Sequence, residues 1–66
     1  MTVNLNKIKG LMAEHEDTQQ DLAEKLGLSR QMVSSYMTGS SAMSIASVTK
    51  IARIYGVSPF DLLKEE

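Results

Sequence analysis

Between Thr18 and Tyr36 the chain carries two short runs of helical apolar spacing with a glycine between them, a pattern that leaves this stretch few folds to adopt. Thr18 is a side-chain oxygen placed to cap a helix, and Asp21, three residues on, forms a near capping box with it. Leu22, Ala23 and Leu26 then share one helical face. Gly27 follows at the place where a left-handed residue stops a helix. Ser29 caps the next run, which turns Val33 and Tyr36 inward and leaves Met32 or Met37 at its margin. The reading is two short helices joined by a tight turn, spanning about 18–38, with the second helix at about 29–38.

The rest of the chain keeps the same period. Leu5, Ile8, Leu11 and Met12 form one stripe of a first helix with Asn4 as its cap. Gly39 ends the third helix, and a small polar loop runs from Ser40 to Met43. Ser44 opens a fourth helix whose face is Ile45, Val48, Ile51, Ala52 and Tyr55, closed by Gly56. Ser58-Pro59 starts a short fifth, because serine is a favoured cap and proline suits the first helical position. No strand pattern, repeat or linker is visible. The expected fold is all-α and compact, with five short helices in a single domain over residues 1–66.

A chain of 66 residues has room for one core, and a domain this small buries only about 60 % of its unfolded surface, so association is expected to help it. With Tyr36, Tyr55 and Phe60 as the only aromatic residues, aliphatic side chains and methionine must fill that core. The absence of cysteine excludes a disulfide framework and thiolate metal sites. No apolar run approaches the roughly 18 residues of a membrane span, and the N-terminus lacks a signal-peptide core, so a cytoplasmic protein without membrane contact is expected. Net charge is −1. Acids gather at Glu14-Glu16-Asp17 and at Glu65-Glu66, whereas Leu28 to Pro59 holds Arg30, Lys50 and Arg53 and no acid, which makes the middle of the chain mildly cationic.

Catalytic chemistry finds little support in these residues. The serines have no general base positioned by motif to activate one. His15 is a lone imidazole that reads as loop packing or plain exposure rather than as a metal ligand, and Glu14 and Glu16 flank a loop in a chain with no room for a pocket. No enzyme activity, cofactor, metal or small-molecule ligand is expected.

The run Gln19-Gln20-Asp21-Leu22-Ala23-Glu24-Lys25-Leu26-Gly27-Leu28-Ser29-Arg30 strongly resembles the Cro/lambda-repressor (XRE) type of helix-turn-helix protein. The resemblance continues without a gap through Tyr36, Gly39, Ile45, Val48, Ile51-Ala52, Tyr55 to Pro59 and Leu62-Leu63, covering about Leu5 to Leu63. It implies a five-helix DNA-binding domain whose third helix enters the major groove of double-stranded DNA. On that likeness Arg30, Gln31 and Ser35 occupy base-facing positions, with Ser34 on the same polar face. Gln19, Ser29 and Thr38 lie where the family touches phosphates, and Lys50 is placed to join them. The chemistry agrees: arginine pairs bidentately with guanine O6 and N7, glutamine with adenine N6 and N7.

The chain also departs from the family. Met37 stands where most members carry Glu, Ser40 and Ser41 where basic residues are common, and Met43 where proline is usual. Losing the basic loop removes phosphate partners and lowers the salt dependence of binding, so DNA binding is expected to be weak or strongly dependent on dimerisation. Core packing accounts for Val57 and one of Leu62 and Leu63, while the family's dimers through the fourth-to-fifth helix region place Phe60, Leu63 and Val57 at a two-fold interface. The expectation is a dimeric repressor on an inverted-repeat operator, regulated by its concentration, by dimerisation or by a competing partner in the absence of a second domain. The alternative is an anti-repressor or antitoxin-like module that binds another regulator or a toxin, for which Met32, Met37 and Met43 would supply an adaptable surface.

Overall fold

The computed structural model describes residues 2–64; Glu65 and Glu66, part of the C-terminal acidic pair read above, lie outside them. Four α-helices follow one another: α1 (Leu5–Glu14), α2 (Gln19–Leu26), α3 (Arg30–Thr38) and α4 (Ile45–Tyr55). Each begins on the side-chain oxygen that the sequence offered. Asn4, Thr18, Ser29 and Ser44 accept from the backbone N–H three residues on, and Thr18 with Asp21 forms a complete capping box.

The fifth element differs from expectation. Ser58 and Pro59 do open a capped turn, with Asp61 closing a second capping box, but it is one turn of 3-10 helix, Pro59–Leu62. The chain then becomes extended. Leu63–Lys64 (β2) pairs antiparallel with Thr2–Val3 (β1), in the register Thr2↔Lys64 and Val3↔Leu63. Asn4 N–H continues the ladder to the Leu62 carbonyl at 2.7 Å. Two residues of alternation are too few to be seen as a strand in a sequence, and here the two ends of the described chain supply each other's only sheet partner. The architecture is four helices, a 3-10 turn and a small strand pair.

Ile8, Leu11 and Met12 of α1, Leu22, Ala23 and Leu26 of α2, and Val48, Ile51, Ala52 and Tyr55 of α4 are all buried, joined by Val33, Met37 and Leu62. Two inward assignments move. Met37 is buried and Tyr36 half-buried, the reverse of the expected order. Val33 and Met37 lie four residues apart, one above the other on a helix, and tyrosine keeps its hydroxyl toward water. Ile45 has the right angle for the α4 stripe yet is 73 % exposed, because it sits in the opening turn, beyond the elements that cover Val48 onward. The departure at Met37 has a physical meaning: the position where the resemblance implies glutamate is here part of the core. The proposed methionine surface shrinks accordingly, since Met37 is buried and Met43 half-buried, leaving Met32 exposed.

Candidate nucleic-acid interface

Helix α3 owes its position to α2. Gly27 is left-handed, at φ 70°, and ends α2 with Leu28 N–H donating to the Ala23 carbonyl at 2.9 Å and Gly27 N–H to that of Glu24 at 3.2 Å. This is the Schellman arrangement, and its apolar follower, Leu28, packs on the core. Lys50 of α4 donates from Nζ to the Leu26 carbonyl at 3.1 Å, satisfying an acceptor at the end of α2. Two residues later Ser29 Oγ accepts from Met32 N–H at 3.1 Å and α3 starts. The turn is therefore fixed by backbone, cap and one lysine, and α3 leaves it in a single direction.

With Val33 and Met37 turned into the core, the opposite side of α3 carries Gln31, Met32, Ser35 and Thr38, and Arg30 extends from its first turn. Arg30 and Gln31 are exposed as expected. Ser34 and Ser35 are half-buried, less open than the polar face expected of them. The loop after Gly39 is the reason for Ser35: Ser41 N–H donates to the Ser35 carbonyl at 3.2 Å and folds the loop back against the helix. Thr38 also turns inward to this loop, its Oγ1 donating to the Ser35 carbonyl at 3.2 Å and lying 3.0 Å from Ser40 Oγ.

Of the residues expected at phosphates, Gln19 is half-buried at the first position of α2, and the Ser29, Thr38 and Lys50 polar groups all have partners within the chain. Phe60 is 75 % exposed, Leu63 half-buried in β2, and Val57 half-buried against the core as the residue that follows Gly56. Among the described residues no cluster of His, Cys, Asp or Glu has the arrangement to hold a metal ion, and no helix is long and apolar enough to cross a membrane.

One cluster escaped the sequence reading. Asp17 Oδ2 accepts from Lys25 Nζ at 2.7 Å and from the Tyr55 hydroxyl at 2.8 Å, and the His15 ring lies 4.7 Å from the Tyr55 ring. Hydrogen bonds from Lys25 and then Tyr55 hold the Asp17 carboxyl below its usual range, while burial, and then the Asp17 bond, push the Tyr55 hydroxyl up. This cluster ties the α1–α2 loop, α2 and α4 together and stands behind the turn rather than on the face of α3. His15 is exposed, with its ring set beside that of Tyr55.

With the helix pair, its turn and the polar face of α3 in place, comparison with known proteins is direct. The helix-turn-helix family matches residues 8–62, most of the chain. The chain belongs to the XRE-type helix-turn-helix family. An uncharacterized HTH-type transcriptional regulator of Methanocaldococcus jannaschii is 42 % identical over 57 residues, covering 86 % of this chain and 86 % of its own. No solved structure gives a significant match. The family's namesake geometry is the α2–α3 pair, so the helix-turn-helix matched by sequence and the one built by Thr18, Gly27 and Ser29 are the same element.

Proposed function

We propose that this protein is a DNA-binding transcriptional regulator of the cytoplasm that lays α3 in the major groove as a homodimer. The observation that carries the reading is the division of α3 into two faces, one sealed in the core by Val33 and Met37 and the other presenting Gln31 to solvent, with Arg30 exposed at the capped first residue of the helix. A helix held in this way offers base-reading side chains at little entropic cost, since the scaffold is already ordered. Arg30 and Gln31 read base edges, Ser35 sits deeper and closer to the helix axis, and Ser34 flanks them. Gln19, Ser29 and Thr38 meet phosphates, with Lys50 behind them. A two-fold dimer through Phe60, Leu63 and Val57 matches an inverted repeat whose halves are about 34 Å apart, and repression by occluding a promoter is the simplest output. The relative from M. jannaschii is named a transcriptional regulator, which supports the class.

A second reading has its own observation. The loop from Gly39 to Ser44 is uncharged and the chain is net negative, so a module that binds another regulator or a toxin, without DNA, is the competitor. Equilibrium binding to a selected duplex separates them. Arg30→Ala weakens specific binding by about 1–3 kcal/mol if α3 reads bases, whereas a protein-binding module shows no specific duplex affinity for the substitution to remove.

A further inference from the structure

Met32 is an apolar side chain left 42 % exposed on the polar face of α3. It shares a shallow depression of about 260 Å³ with Ser29, Gln31, Ser35 and Ser41. The other four lining residues are small or polar, so Met32 is the one hydrophobic group there. Core packing does not explain it, because the inward side of α3 is already filled by Val33 and Met37. The covering surface of another methionine does not explain it either, since Met37 and Met43 face elsewhere and are buried or half-buried.

Resting on the reading of α3 as a base-reading helix, we infer that Met32 is a specificity residue that packs against the C5 methyl group of a thymine in each half-site. The base edges of the major groove are made of donors and acceptors, and the thymine methyl is the apolar group they present. Methionine suits it: the side chain is long, unbranched and polarizable, and adapts to an apolar partner without a fixed rotamer. Gln31, the preceding residue, supplies a hydrogen bond on the same side, so that an adjacent adenine and thymine are read together by one polar and one apolar side chain. No carboxylate lies between Leu28 and Pro59 to repel the backbone flanking that pair.

The test is a cycle between side chain and methyl group. An operator recovered from randomised duplexes is remade with each thymine replaced in turn by deoxyuridine, which removes only the methyl. Wild-type protein should lose roughly fourfold in affinity at one thymine per half-site, the worth of one buried carbon group. Met32→Ala should bind the original duplex more weakly by a similar factor and be indifferent to deoxyuridine at that position, while Met32→Leu keeps the sensitivity. The side chain is exposed, and unchanged thermal melts confirm that the variants fold. Wild-type binding that ignores every replacement overturns the inference alone, as does a Met32→Ala variant that stays as sensitive as wild type. Failure to recover any operator overturns the base-reading function and the inference with it.

Discussion

Asp17 joins side chains that the sequence keeps far apart. Its carboxylate is 9 % exposed, accepts from Lys25 and from Tyr55 across 38 positions, and links the α1–α2 loop to α4. In the sequence it reads only as one of three clustered acids, because nothing local announces a partner so distant. Tyr55→Phe removes the hydroxyl donor and keeps the ring, and should cost about 1 kcal/mol in chemical denaturation. The linkage has a definite sign. Asp17 has a lowered pKa in the folded state, so its contribution is complete above about pH 4 and is lost as pH falls through the folded value. Tyr55 is raised, so its contribution is complete below about pH 10 and is lost at higher pH. Melting temperature against pH should therefore decline at both extremes, and Tyr55→Phe should abolish its share of the alkaline limb. The exposure of Arg30 and Gln31 was legible because their types and their places after Ser29 are local facts. The covering of Ser35 was not, since it depends on how the loop after Gly39 folds back.

At the scale of elements, three helices close by the same device. The i+5 bonds Asp17→Met12, Leu28→Ala23 and Val57→Ala52 are 2.8, 2.9 and 2.9 Å, each paired with an i+3 bond from the preceding residue. Gly27 and Gly56 take the left-handed position at φ 70° and 69°, whereas the end of α1 places Glu16 there at φ 56°. Two of the three stops were visible as glycines, and the third was hidden behind a residue that rarely adopts that conformation. A Cβ at Gly27 would meet no atom within 4 Å, so the penalty for Gly27→Ala is conformational alone. Gly27→Ala should destabilise by about 1 kcal/mol, and Glu16→Gly should stabilise by about 0.5–1 kcal/mol, both read from denaturation midpoints. The opposite sign for Glu16→Gly would mean that its side chain has a contact that offsets the strain. Helix starts were the most legible feature of the chain because a cap is a one-residue signal. The strand pair was the least, because two residues carry no period.

At the scale of the molecule, the described residues span 28 × 25 × 18 Å. Its α3 has nine residues and extends about 14 Å, which spans only about four base pairs. A site that short recurs throughout any genome, so useful specificity requires a second copy. Phe60 is the surface we propose for it: 75 % exposed on the 3-10 turn, next to Leu62, which is fully buried, and Leu63, which is half-buried. Sedimentation of wild type should show a concentration-dependent dimer that Phe60→Ala weakens, with thermal stability unchanged at concentrations where both proteins are monomeric. Monomer in both, across micromolar concentrations, would remove the two-fold arrangement. That the apolar C-terminal residues divide between core and surface was legible. The physical reason that Leu62 is the one turned inward was not, since it lies in the 3-10 geometry of the turn, which packs against α1 and α4.

The most direct measurement is a selection from randomised duplex DNA at near-physiological salt, run in parallel on wild type and Arg30→Ala. If α3 reads bases as a two-fold pair, wild type enriches an inverted repeat with half-sites about one helical turn apart and Arg30→Ala does not. Weak, salt-sensitive binding shared by both proteins, with no sequence enriched, would contradict the reading and turn attention to a protein partner.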